Sequence, residues 1–463
     1  MSDPLQMSHA GFKAYDIRGV IPTEMNEELA YRAGRAYAAL YHPHMVAVGR
    51  DIRPSSECFA KAVIAGLTDG GADVLDIGLC GTEMVYFAVF HDGLSGGIMI
   101  TASHNPSDHN GMKLVREEGI PISADTGLAD IEQLVFSGNF PQSAAKGRVS
   151  SKNIMPDYVS HILSYVDSSR LKPLKIVVNA GNGCAGLAFR QIKPQLPFQF
   201  AEMYMEPDGT FPHGVPNPML PENRAPLIAK VKETGADLGI AWDGDFDRCF
   251  FIDDTGRFVE GYYMVGLLAG YFLRQHPGET VVHDPRCFWN TEKIVESLGG
   301  YSQISKGGHA FMKETLRRVH GIYGAEMSAH HFFRAFSYCD SGMIPWLIVT
   351  QLISETGKSL SQLVGEMAEA FPCSGERNLL ARNVPLILET VEKTYARDAL
   401  DISHLDGVSM DLGRWRFNLR PSNTEPLIRF NMETRGNRQL LQEKTEEILN
   451  LIQHLNETAE TEN

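Results

Sequence analysis

The chain has little cysteine, no long apolar run and no concentration of basic residues, and each shortage closes off a class of protein. Seven cysteines in 463 residues, at positions 58, 80, 184, 249, 287, 339 and 373, are odd in number and scattered, with no C-x-x-C pair. That usage argues for reduced thiols in a cytosolic setting and against a disulfide framework or a zinc site. No apolar stretch approaches the roughly 18 residues that span a bilayer. The opening MSDPLQMSHA lacks both the basic and the apolar region of a secretory signal. A cytoplasmic protein without a membrane partner is expected. With 42 Lys and Arg against 57 Asp and Glu the net charge is -15, and the basic residues are interspersed, so nucleic acid is not an expected partner. Gly-x-Ser-x-Gly is absent, which removes the hydrolase nucleophile elbow.

What is present is a pattern repeated three times. Apolar, β-rich runs open at Met45 (MVAVGRDIR), Lys175 (KIVVNAGNG) and Thr280 (TVVHDPRCF). Each is followed by helix-like sequence and a second run that ends in a polar loop: GGIMITASHNP, ADLGIAWDGDFDR and GIYGAEMSAHH. Strand, loop, helix, strand, loop, three times over, predicts three related α/β domains over 1–145, 146–253 and 254–372. After Pro372 the segments DGVSMDLG and RWRFNLRPSNTEPLIRFNMET read as strands and QLLQEKTEEILNLIQHL as an amphipathic helix, a small α+β domain over 373–463. Ligands collect beyond the carboxyl ends of strands in open α/β sheets, so one central cleft served by several loops is expected.

The loops carry the chemistry. Ser103 and His104 of TASHNP follow a short apolar strand and belong at its mouth, although Asn105-Pro106 is also an ordinary turn signal. In AWDGDFDR the carboxylates Asp243, Asp245 and Asp247 are two apart, which points them to one side of an extended backbone; their repulsion suits a hard cation, Mg²⁺ or Ca²⁺. An EF-hand counted from Asp243 would need Gly and Glu where Arg248 and Asp254 stand. The bland alternative is a solvated acidic turn. GNGCAG, Gly181 to Gly186, matches the dinucleotide fingerprint with Glu202 roughly 20 residues on, but a glycine-rich strand-to-helix turn has conformational reasons of its own. Glu326 and Ser328, with His330 and His331 beside them, suit sugar hydroxyls; His309 and Lys313 lie in a Gly-containing loop or at a helix start. In RPSNTEP, Arg420, Ser422, Asn423 and Thr424, with Arg429 nearby, offer a phosphate its donors, or else form a hairpin turn.

Taken in order, KAYDIRG, TASHNP, DGDFDR, GHAFMK, AEMSAHH and RPSNTEP resemble the α-D-phosphohexomutase family, most closely its bacterial phosphomannomutase/phosphoglucomutase branch, over nearly the whole chain. The resemblance implies four domains, three of them α/β, around one cleft. It implies a phosphorylated Ser103, with His104 beside it as a further catalytic residue, and Mg²⁺ held by Ser103 together with Asp243, Asp245 and Asp247. Arg248, Arg286, Glu326, Ser328 and His330 would bind the sugar phosphate, and Arg420, Ser422, Asn423 and Thr424 its non-transferring phosphate. Lys113, His309 and Arg18 are candidates for proton transfer and charge neutralisation. Hexose phosphates are the expected substrates, with a hexose 1,6-bisphosphate as intermediate and activator. The implied reaction interconverts mannose 6-phosphate and mannose 1-phosphate for GDP-mannose and polysaccharide synthesis. Glucose preference or dual specificity is the alternative, and a glucosamine mutase, a nicotinamide oxidoreductase or a non-catalytic sensor are further ones. The chain departs from the usual family pattern at Ala325 and Ala329, where glycine is common, and at Arg286, where lysine is.

Overall fold

Each of the three β-rich openings folds as a strand between two parallel neighbours. The computed structural model describes residues 8–421 and 427–461. In the first repeat β1 (Ile17–Val20), β2 (Met45–Arg50), β3 (Asp73–Leu79), β4 (Gly96–Ile100), β5 (His109–Arg116) and β6 (Val149–Ser151) form one sheet in the order β1-β5-β4-β2-β3-β6. β2 runs parallel to β3 and β4, and β4 pairs antiparallel with β5. The second repeat has β7 (Lys175–Asn179), β8 (Gln199–Met203), β9 (Leu238–Trp242), β10 (Cys249–Asp253) and β11 (Phe258–Val259), ordered β11-β10-β9-β7-β8. There β7 is parallel to β8 and β9, and β9 antiparallel to β10. In the third, β12 (Thr280–His283) is parallel to β13 (Tyr301–Ile304) and β14 (Tyr323–Ala325). The repeat read as a pattern is therefore a repeat of topology.

Two units divide the chain: one takes it up to Val259 together with Ser328–Leu360, the other takes Glu260–Met327 and everything from Ser361. The first unit also contains the short antiparallel pair β15 (His331–Phe333) and β16 (Cys339–Asp340). The second ends in an antiparallel sheet, β17 (Arg377–Leu380), β18 (Asp401–Ser403), β19 (Val408–Asp411), β20 (Trp415–Pro421) and β21 (Leu427–Thr434), ordered β17-β21-β20-β19-β18. Its buried face, with Met410, Phe417, Phe430 and Met432, packs on Ile387 and Val391 of helix Val384–Tyr395 and Ile448 and Ile452 of helix Arg438–Thr461.

Every residue of β4 and of β9 is buried, the signature of strands covered on both faces. Helix Glu27–Tyr41 shows how the cover is built. Asn26 caps it by accepting the Leu29 N–H, and Leu29, Ala30, Ala33 and Tyr37 form a wholly buried stripe. Because β2, β4, β7 and β9 are central and fixed, the loops at their carboxyl ends are held on rigid stems. Among the described residues no helix is long and apolar enough to cross a membrane, and all seven cysteines are free thiols.

Candidate active site

β4 delivers Ser103 to a position 3% exposed, in the left-handed backbone region at φ 48. Its hydroxyl donates to Asp243 Oδ2 at 2.9 Å and lies 3.0 Å from His104 Nδ1. Arg248 closes the triangle, its Nε donating to Asp243 at 2.8 Å and its Nη2 to His104 Nδ1 at 2.5 Å. Burial first, then the charges of Arg248 and Arg18, hold His104 well below the ordinary histidine pKa. The ring is therefore neutral, with Nδ1 an acceptor and its proton on Nε2. Arg18, on β1, donates to Asn105 Oδ1 at 2.9 Å and to Asp16 at 2.5 Å, which ties the KAYDIRG segment to the serine loop.

The three aspartates converge, but not along an extended strand. The backbone from Asp243 turns, Phe246 N donating to the Asp243 carbonyl with Phe246 at φ 48, and this turn rather than a two-residue alternation gathers the side chains. All three are buried, with ligand oxygens within 4.8 Å of one another. Lys113 reaches in from β5, whose antiparallel register sets it opposite Met99, and donates to Asp245 at 2.8 Å and Asp247 at 2.5 Å. Burial lowers the Lys113 pKa, but the two carboxylates outweigh it and leave it raised. Burial likewise raises Asp245, and Lys113 more than reverses this; Asp243 stays raised at about 6. Oδ1 of Asp245 and Oδ1 of Asp247 are buried and accept no hydrogen bond. Oxygen ligands with lone pairs unused at a point of mutual repulsion fit a hard divalent cation.

The GNGCAG turn supports this loop instead of a dinucleotide. A side chain at Gly183 would lie 2.6 Å from the Gly244 carbonyl and one at Gly186 would lie 2.0 Å from that of Met205, while Cys184 N donates to Gly244 O at 2.9 Å. The glycines are needed for close approach. From the other side Thr82 donates to Asp245 Oδ2 at 2.5 Å. Thr82, Thr101, Asp51, Arg53 and Asp340 were not legible as site residues. Asp340 Oδ2 lies 2.8 Å from His330 Nδ1, and that nitrogen lies 4.0 Å from Asp247 Oδ1. Asp247, His330 and Asp340 form a second group whose ligand atoms lie close together.

The other unit gathers Arg286, Glu326 and Arg420. Arg286, 1% exposed, donates to Asp284 and to Glu376 at 2.5 Å, and approaches Glu326 at 3.9 Å. Arg420 lies 3.9 Å from Glu376 and 3.7 Å from Asp406, and Arg429 lies 3.5 Å from Glu376. Gly308 N donates to Glu326 Oε1 at 2.6 Å and Gly307 N to Asp406 at 3.1 Å, so the loop before His309 closes on both carboxylates. His309 is the first residue of helix His309–Val319. Ser328 is half-buried in the first unit, and Ala329 after it adopts φ 70, the region glycine prefers. Ser422, Asn423 and Thr424 lie outside the described residues.

Beside the site, Glu83 is wholly buried at the start of helix Thr82–His91, accepting from Ser341 Oγ (2.8 Å), Gly342 N (2.6 Å) and the Tyr158 hydroxyl. Burial outweighs these donors and raises its pKa from 4.5 to about 8. Between those values the folded protein holds a proton that the unfolded chain has released, so stability falls as pH rises through the window. The slope is at most about 1.4 kcal/mol per pH unit. Denaturant melts of the protein and of Glu83→Gln across this range should show the slope flattened in the variant.

Three α/β repeats that each open on a strand between two parallel neighbours, with a buried serine set against a trio of carboxylates and two cationic side chains, define an enzyme of the phosphohexomutase type. The chain belongs to the phosphoglucomutase/phosphomannomutase family. Its alpha/beta/alpha domains I, II and III match residues 9–142, 156–256 and 260–371, and its C-terminal domain matches 376–451. The protein is thus an isomerase acting by phosphoryl transfer. It is 53% identical over 446 residues to phosphohexose mutases of Xanthomonas campestris pv. campestris, covering 96% of this chain and 100% of the relative. It is 51% identical over 448 residues to a phosphomannomutase of Salmonella montevideo, covering 95% and 98%. A crystal structure of a phosphoglucomutase/phosphomannomutase family protein from Burkholderia thailandensis superposes with a TM-score of 0.85 at 28% identity, covering 97% of this chain and 98% of that one.

Proposed function

We propose that this enzyme is a cytoplasmic phosphomannomutase that interconverts mannose 6-phosphate and mannose 1-phosphate through a phosphorylated Ser103, so supplying mannose 1-phosphate for GDP-mannose and polysaccharide synthesis. The observation that carries the reading is the Ser103 hydroxyl donating to Asp243, one of three clustered buried carboxylates, in a chain about half identical to proteins named phosphomannomutase. Ser103 needs no triad because it begins the cycle as donor. The 6-hydroxyl of a hexose 1-phosphate attacks the phosphorus, the bond to Ser103 Oγ breaks, and a 1,6-bisphosphate results. Reoriented, the bisphosphate returns its other phosphoryl group to Ser103 and leaves as the 6-phosphate.

Asp243, Asp245 and Asp247 would hold Mg²⁺. Such an ion neutralises charge on the transferring phosphoryl group. Arg248 and Lys113 add fixed positive charge where the serine oxygen becomes an anion. For the proton taken from the attacking hydroxyl, His330 is the better placed base, since Asp340 orients its Nδ1 while the Lys113 ammonium is engaged by two carboxylates. Glu326 and Ser328 would bind sugar hydroxyls, and Arg420 with Ser422, Asn423 and Thr424 the phosphate that stays in place.

Mannose and glucose differ only at the 2-hydroxyl, so a pocket that grips the shared hydroxyls discriminates weakly, within about 100-fold. The expected outcome is turnover of both, with the higher kcat/KM for mannose 1-phosphate. Measuring kcat/KM for mannose, glucose and glucosamine 1-phosphates with added hexose 1,6-bisphosphate checks this. Glucose preferred by more than that margin, or glucosamine preferred at all, reassigns the substrate.

A further inference from the structure

Arg53 belongs to none of the loops assigned a role, yet it shapes the one that carries Ser103. Its side chain is 0% exposed, and its guanidinium donates to four backbone carbonyls of that loop. Nη1 reaches Pro106 at 2.5 Å and His109 at 3.0 Å; Nη2 reaches Ser103 at 3.0 Å and Asn105 at 2.6 Å. Asp51 holds the guanidinium at Nε, 3.2 Å away, and the same Oδ2 accepts the Thr101 hydroxyl at 2.8 Å. Thr101 Oγ1 in turn accepts the Ser103 N–H at 2.8 Å. The Ser103 residue is therefore held at both its amide and its carbonyl by one connected network.

That network answers a physical need. A left-handed serine is strained and persists only where its surroundings over-determine it. The device recurs in the fold. After β12, Asp284 Oδ1 accepts the Arg286 N–H at 2.8 Å, as Asp51 Oδ1 accepts that of Arg53 at 3.0 Å, and Asp284 Oδ2 accepts the N–H of Met327, next to Glu326. After β7, Asn179 Oδ1 accepts Gly181 N at 2.8 Å, and the turn it starts braces Gly244. In each repeat the turn after the strand with two parallel neighbours, β2, β7 or β12, braces the loop after one of those neighbours.

We propose that Arg53, held by Asp51, is a positioning residue for phosphoryl transfer: it orients Ser103 Oγ for in-line displacement without touching substrate. The proposal rests on Ser103 carrying the phosphoryl group. A planar five-donor guanidinium serves four carbonyls, whereas an ammonium with three donors does not, so lysine is not a conservative replacement here.

The test compares the wild type with Arg53→Lys, Arg53→Ala and Thr101→Val, the last removing the amide-side bond together with the Thr101 hydroxyl's bonds to Asp51 and, at 3.4 Å, to Asp245. Turnover of mannose 1-phosphate with added 1,6-bisphosphate, melting temperature and phosphate on the Ser103 peptide are measured for each. The expected result is kcat lowered about 100-fold by Arg53→Lys with KM changed less than about twofold. Thr101→Val should lower kcat in the same way, and guanidinium ion, but not methylammonium, should restore part of the Arg53→Ala loss. Loss confined to KM, full rescue by lysine, or an unchanged kcat in Thr101→Val overturns the proposal; if the Arg53 variants do not fold, Thr101→Val decides it. Wild-type enzyme that turns over with no phosphate on Ser103 overturns the phosphoserine reading, and the proposal with it, whatever the variants do.

Discussion

Replacing Ser103 by alanine is expected to lower kcat for hexose phosphate interconversion by about 10⁴-fold or more while the protein stays folded. The hydroxyl is the group that would carry phosphate between the two ends of the sugar, and the neighbouring hydroxyls are engaged. Thr82 is bonded to Asp245 and Thr101 to Asp51, so neither is free to substitute. The fold should tolerate the change because the loop is held through its backbone, by Arg53 and Thr101 Oγ1, and alanine retains both bonds. Steady-state rates and a melting curve check both halves of this expectation. An alanine variant with ordinary turnover would contradict the role.

Exchanging any one of Asp243, Asp245 and Asp247 for asparagine is expected to cost about 100-fold or more in kcat, with activity dependent on added Mg²⁺ and abolished by excess chelator. The three carboxylates face Lys113 and Arg248, so each exchange removes a negative charge from a buried group whose balance is close. Asp245→Asn should act most strongly, since that side chain meets Lys113, Thr82 and the unused Oδ1 lone pairs together. Ca²⁺ is expected to bind yet support little turnover, because its looser coordination does not fix the reacting oxygens as a small octahedral ion does. Undiminished activity in chelator would leave the aspartates as counter-ions of Lys113 and Arg248 alone.

Much of this was legible in the chain because the chemistry sits in loops between strongly patterned strands. The runs from Met45, Lys175 and Thr280 announce their strands through β-branched and apolar residues, and TASHNP and DGDFDR declare themselves by composition. The grouping of Glu260–Met327 with the C-terminal residues was not legible, since it depends on tertiary packing that no local period encodes. The aspartates converge for a reason their spacing does not encode. Alternation on an extended strand would suffice, but a left-handed Phe246 does the work, and no propensity marks a phenylalanine for that conformation. Asp51 and Arg53, in the run MVAVGRDIR, carry no mark of their own in the sequence. The signal that finds them is the recurrence of Asp-x-Arg after Met45–Arg50 and after Thr280–His283, which means something once the two strands are known to be equivalent. Asp340 had no signal, because its tie to His330 joins the two sides of a short turn whose register is set by packing.

The most direct measurement of the central claim is a label chase. Enzyme incubated with Mg²⁺ and hexose 1,6-bisphosphate carrying labelled phosphate, then digested, should yield the label on the peptide containing Ser103. Addition of mannose 1-phosphate before digestion should move that label into sugar phosphate at the rate of turnover. Label on another residue, or label on Ser103 that mannose 1-phosphate does not discharge at a rate matching kcat, would contradict phosphoryl transfer through Ser103.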